Sequence, residues 1–117
     1  MAIVRGRLAN IQTIPNTAGS IYTNPASTIT FVSGFTIYNT SSTSRVVKLY
    51  NVPDSTGSLG TAGLTNQFLE VSIAGYETFI FEAPSDGIVL ADTNDSLQAV
   101  TSTSNDVTIM IHGTKDI

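Results

Sequence analysis

From Ser27 onward apolar and polar residues alternate along the chain. Ile29, Phe31, Phe35 and Ile37 fall on one face of an extended backbone, and Thr28, Thr30, Gly34 and Thr36 fall on the other, with Val32 and Tyr38 interrupting the polar side. A period of two predicts a half-buried strand. It ends at Asn39-Thr-Ser-Ser-Thr-Ser, whose short polar side chains compete for backbone hydrogen bonds and favour a turn. Residues 45–52 form the next run, and the short link predicts an antiparallel hairpin between the two. Pro53-Asp-Ser-Thr-Gly stops that run, and residues 54–63, with Gly57, Gly60 and Gly63 and no apolar period, predict an exposed loop. Leu69, Val71 and Ile73 then alternate with Glu70 and Ser72, and after Ala74-Gly-Tyr the strand 78–82 points Phe79 and Phe81 inward. A Pro84-Ser-Asp-Gly turn leads to two short apolar runs, 88–90 and 97–100, separated by Asp92-Thr-Asn-Asp. In the last strand Val107, Ile109 and Ile111 face inward, and Thr108, Met110 and His112 outward.

About seven to nine strands at short turn spacings, with no helical period, predict an all-β antiparallel sandwich with a jelly-roll or immunoglobulin-like strand order. The Cys and Trp of antibody domains are missing, since the chain has neither residue. Residues 21–117 make one domain. Residues 1–20 read differently: Ile3, Val4, Leu8, Ile11 and Ile14 share no face, Arg5 and Arg7 flank a glycine, and Pro15-Asn-Thr-Ala-Gly follows. They form either an edge strand covered from both sides or an extended arm that adds a strand to a neighbour.

Composition narrows the chemistry. A net charge of −4 with only five cations, Arg5, Arg7, Arg45, Lys48 and Lys115, leaves no basic face for nucleic acid. No apolar run reaches the length of a membrane span, and Met1–Leu8 lacks the apolar core of a signal peptide. Without cysteine there is no disulfide and no cysteine-based metal staple, so subunit contacts are the remaining external source of stability.

Candidate reactive groups are sparse. His112 is the only imidazole, and its face offers Thr108 and Met110, neither of which can orient or activate it, so it reads as a solvated histidine. Asp92, Asn94 and Asp95 carry oxygens suited to calcium but lack the alternating acids, central glycine and closing Glu of a calcium loop, and read as a surface turn. The three loop glycines precede no Gly-Lys-Ser/Thr and no helix, so they do not form a phosphate loop. Glu70, Glu77 and Glu82 lie on or beside strands without marking a paired-carboxylate cleft, and Gly-x-Ser-x-Gly is absent. Asn39-Thr-Ser and Asn94-Asp-Ser match the glycosylation pattern and read as polar turns. Tyr22, Tyr38, Tyr50 and Tyr76 are the groups that could stack on a sugar. No enzyme, cofactor or metal site is expected.

Several motifs carry a resemblance. Tyr22-Thr-Asn-Pro-Ala-Ser-Thr, the strand closing in Ile37-Tyr-Asn-Thr-Ser, and Ile73-Ala-Gly-Tyr-Glu-Thr leading to Gly87-Ile-Val-Leu-Ala-Asp-Thr-Asn-Asp-Ser-Leu resemble small structural proteins of tailed bacteriophages over most of residues 20–113. The chain departs from that pattern by placing Tyr76 between Gly75 and Glu77. The resemblance implies a β-sandwich virion component, first of all a capsid decoration or cement protein. Such a protein would be made in the host cytoplasm, bind the major capsid protein on the outer shell and brace neighbouring subunits. A tail, baseplate or fibre subunit is the alternative, and a carbohydrate-binding virion module a third. The expected capsid-facing element is the N-terminal segment, with Ile3, Val4 and Leu8 as apolar anchors and Arg5 and Arg7 for acidic partners. A homo-oligomer is expected, in the simplest case a trimer, because a closed ring hides strand edges.

Overall fold

The computed structural model describes residues 2–85, 87–103 and 105–117. Asp86, part of the Pro84–Gly87 turn, lies outside them. The described residues form nine strands: β1 (Ile3–Thr13), β2 (Gly19–Thr23), β3 (Ile29–Asn39), β4 (Arg45–Val52), β5 (Gln67–Ile73), β6 (Thr78–Glu82), β7 (Ile88–Leu90), β8 (Ser96–Thr101) and β9 (Val107–Asp116). They build two antiparallel sheets. The first runs β1-β9-β3-β6, with β7 also paired to β3, and the second runs β2-β8-β4-β5.

The pairs β1·β9, β2·β8, β3·β6/β7 and β4·β5 nest inside one another. The chain is therefore a long two-stranded ribbon doubled back at residues 53–66. Its successive pairs belong alternately to the first and second sheet, and wrapping the ribbon this way gives the jelly roll of the two expected orders. The core between the sheets holds Phe35, Ile37, Val47, Leu49, Leu97, Ile109 and Ile111 at 0–1% exposure. Phe35 stacks on Phe81, with ring centroids 4.7 Å apart.

Two buried asparagines tie the corners where the ribbon passes between sheets. The Asn24 amide donates to the carbonyls of Thr28 and Asp92, joining the β2–β3 corner to the β7–β8 corner, while Thr30 Oγ1 donates to its Oδ1. The Asn39 amide donates to the carbonyls of Thr43, Ile73 and Ala74, joining the β3–β4 corner to the β5–β6 corner. At the third pair of corners the amide of Ile14 donates to Val107 and that of Thr101 to Pro15.

Three sequence expectations change. β3 and β4 do not form a hairpin, because the turn after Asn39 carries the chain into the other sheet, where β4 pairs with β5 and β8. The face assigned to β3 holds only for Phe35 and Ile37. Between Val32 and Gly34 the register against β9 advances by two residues for one, so Ser33 is a bulge. Upstream of it Thr30 and Val32 are buried while Ile29 is 38% exposed. Gly34 and Gly113 flank the bulge, and a Cβ on either would collide with the carbonyl of Phe81 or of Phe31. Finally, loop 53–66 is partly docked. Gln98 donates to the Gly60 carbonyl at 3.0 Å and Asn94 to the Gly57 carbonyl at 2.7 Å. That docking explains why β8 buries both Leu97 and Gln98.

Candidate interaction surface

Residues 3–13 are an edge strand. Among the described residues β1 pairs only with β9, in three stretches separated by irregularities at Leu8 and at Asn10–Ile11. Its other edge has no strand partner among the described residues, and Ile3 (66%), Val4 (46%) and Ile11 (59%) are exposed. Arg5 and Arg7 are exposed too, whereas Leu8 is half-buried and packs against the core. Leu8 is thus a strut beneath the surface, and the exposed apolar positions are Ile3, Val4 and Ile11.

The cations are segregated. Arg45 forms an ion pair with Asp106 at 2.7 Å, and Lys48 lies 3.8 Å from Glu70. Among the described residues Arg5, Arg7 and Lys115 have no ion-pair partner, and all three lie on β1 or on the part of β9 that β1 pairs with. The far edge of the same sheet, β6 and β7, exposes Ile80 (62%), Val89 (43%) and the carboxylates Glu77 and Glu82. Register aligns these groups in rows across the outer face. Arg7, His112, Gly34 and Glu82 form one row, and Arg5, Thr114, Phe31 and Val89 another. Ile11 lies within the second irregularity of β1, at the level where Met110, Thr36 and Ile80 pair across the other three strands. None of these rows is visible in the sequence, since each joins four strands.

The other sequence candidates settle into structural roles. His112 Nε2 lies 3.1 Å from where a Cβ on Gly34 would sit, so the glycine makes room for the ring, and among the described residues the imidazole has no hydrogen-bond partner. Asp92 and Asp95 do come together, but their third acidic neighbour is Asp54 from the distant loop, with carboxylate oxygens within 4.8 Å. Asn94 instead turns to Gly57. Asp95 accepts from the amides of Asp54, Ala91 and Asp92 at 2.9–3.2 Å. Burial acts to raise its pKa, yet those amides outweigh burial and hold the carboxyl below its ordinary value. It therefore works as a lock between two turns. Tyr22 and Tyr50 are buried, so no groove uses all four tyrosines; Tyr38 and Tyr76 remain exposed. Asn39 is fully buried.

No family model matches the chain, and no curated protein matches it. Among solved structures, a chain described under "Bacillus endospore appendages form a novel family of disulfide-linked pili" superposes with a TM-score of 0.51 at 11% identity, covering 97% of this chain and 86% of that one. This chain shares that fold. It has no cysteine with which to form a disulfide.

Proposed function

We propose that the chain is a structural component of a virion, acting as a capsid decoration protein that binds the outer shell and braces neighbouring capsid subunits. The observation that carries the reading is the β1 edge, where exposed Ile3 and Val4, and backbone and the cations Arg5 and Arg7 that have no partner among the described residues, lie together. An added strand gains main-chain hydrogen bonds there, and acidic neighbours satisfy the arginines. Binding only to an assembled shell stabilises that shell by mass action, and many weak sites on one shell add. The viral setting rests on the resemblance of the corner motifs to tailed-phage structural proteins.

A second reading, a fibre or tail subunit, is favoured by the fold shared with a chain from disulfide-linked pili. Quantitative mass spectrometry of purified particles separates the two. Copies comparable with the major capsid protein support decoration, and a small fraction of that number supports the tail or fibre. Absence from the particle overturns the virion reading.

A further inference from the structure

We infer that copies of this chain join side by side through the first sheet, with β1 of one copy adding to the β6–β7 edge of the next. The inference rests on the reading of the chain as a structural component and gives the β1 edge within a series of copies to a second copy, so that only the β1 edge of an end copy stays open to the shell.

Strand direction is the first argument. Across β1-β9-β3-β6 every neighbour is antiparallel, so the two edge strands run in opposite directions. A copy displaced sideways by one sheet width therefore lays its β1 antiparallel to β6 and β7 and continues the ladder without a turn or flip. Charge is the second. Among the described residues Arg5 and Arg7 on one edge, and Glu77 and Glu82 on the other, have no ion-pair partner. Edges defended against association need only repel, which like charges on both would achieve. Opposite charges on the two edges attract.

Register is the third and most specific. The row Arg7–His112–Gly34–Glu82 runs from edge to edge, so extending it into the neighbouring copy sets Arg7 beside Glu82. The rows Ala9–Ile111–Phe35–Phe81 and Gln12–Ile109–Ile37–Phe79 bracket Ile11 on one edge and Ile80 on the other, so the same displacement brings these two exposed side chains to one level. One displacement thus matches a salt bridge and an apolar pair, the two cross-strand contacts that stabilise an antiparallel ladder. The contact is heterologous: it leaves a free edge at each end, and the twist of the sheet decides whether the series closes into a ring or stays open.

Arg7 and Glu82 stand three strand spacings apart within one copy, roughly 14 Å at about 4.8 Å per step, too far to touch, so coupling between them reports contact between copies. Sedimentation of the full chain from about 1 μM to 1 mM should show concentration-dependent association that weakens with added salt. Arg7→Glu and Glu82→Arg should each weaken it about tenfold or more, with unchanged circular dichroism, and the double variant should recover to within about threefold of the parent. A monomer throughout the range overturns the inference, as does association indifferent to either reversal or a double variant no better than the singles. Because the pure chain is tested without particles, such a failure leaves the virion reading standing. Absence from particles would sink that reading and leave this one.

Discussion

Asn39 illustrates how much of this fold hangs on single polar side chains. It is wholly buried and donates to three carbonyls from two corners, while its Oδ1 accepts from the amide and hydroxyl of Ser41. Asn39→Ala strands those carbonyls and should lower unfolding free energy by about 3 kcal/mol in urea titrations. Asn39→Asp keeps the shape but turns a second oxygen toward the carbonyls, so it should be at least as harmful; a variant milder than alanine would mean that shape, not donation, holds the corner. Asp95 makes a prediction in pH. Its folded pKa is depressed below 3.8, so its contribution is fully present above the unfolded value and is lost as pH falls through the folded one. Urea midpoints of the parent and Asp95→Asn should differ most near neutral pH and converge in acid. The sequence shows both residues, but only as turn formers. Asn24 and Asn39 lie inside the turn motifs at residues 22–28 and 37–41, and here those motifs are corner staples. Their burial was not legible, because it depends on a second corner distant in the chain: Asn24 reaches Asp92, and Asn39 reaches Ile73.

At the scale of the element, alternation was legible wherever a strand is regular and one of its faces is wet. Leu69, Val71 and Ile73 on β5, Phe79 and Phe81 on β6, and Val107, Ile109 and Ile111 on β9 all point inward as their period predicts. β3 fails at Ser33, since a bulge shifts the inward set by one residue and carries no composition signature except the neighbouring Gly34. The inward set of β3 depends neither on the hydroxyl of Ser33 nor on the extra residue, which the bulge only absorbs. Ser33→Ala removes only an exposed bond to the His112 carbonyl and should change stability by less than about 0.5 kcal/mol. Deleting Ser33 leaves Thr30, Val32, Phe35 and Ile37 on one face in a strict period of two, with Val32 and Gly34 still opposite Gly113 and His112, so the cooperative urea transition should survive. A deletion variant without a cooperative transition would show that β3 needs the added twist of the bulge and not only its register. β8 was legible only as an apolar run, because its outer face is dried by a loop whose docking rests on Gln98 and Gly60. Which sheet a strand joins was not legible at all, since a hairpin turn and a crossover use the same Ser, Thr and Asn.

For the whole molecule, nesting has a consequence for how the fold can form. β9 lies between β1 and β3, so the first sheet has no continuous ladder until residues 107–116 are in place, although β1 is nearly a hundred residues away in sequence. That pairing leaves no local trace in the sequence, and it is also why the candidate surface was legible only in part. The exposed Arg5 and Arg7 can be read from the chain, but their alignment with Glu82 passes through β9 and β3. Ladders between such distant segments must close large loops before they gain contacts, which places folding in the range of milliseconds to seconds or slower. The two outer strands of the ribbon should therefore differ sharply in importance. Removing residues 1–7 takes away, among the described residues, only exposed positions and keeps Ile14, which is fully buried, so the native transition should survive. Removing residues 107–117 deletes Val107, Ile109 and Ile111 from the core and leaves β1 and β3 facing an empty position, so near-ultraviolet dichroism and protease resistance should both be lost. If the chain lacking β9 resisted proteolysis as the parent does, the second sheet with β3 and β6 would have to form a stable unit alone, and the central place given to β9 would be wrong.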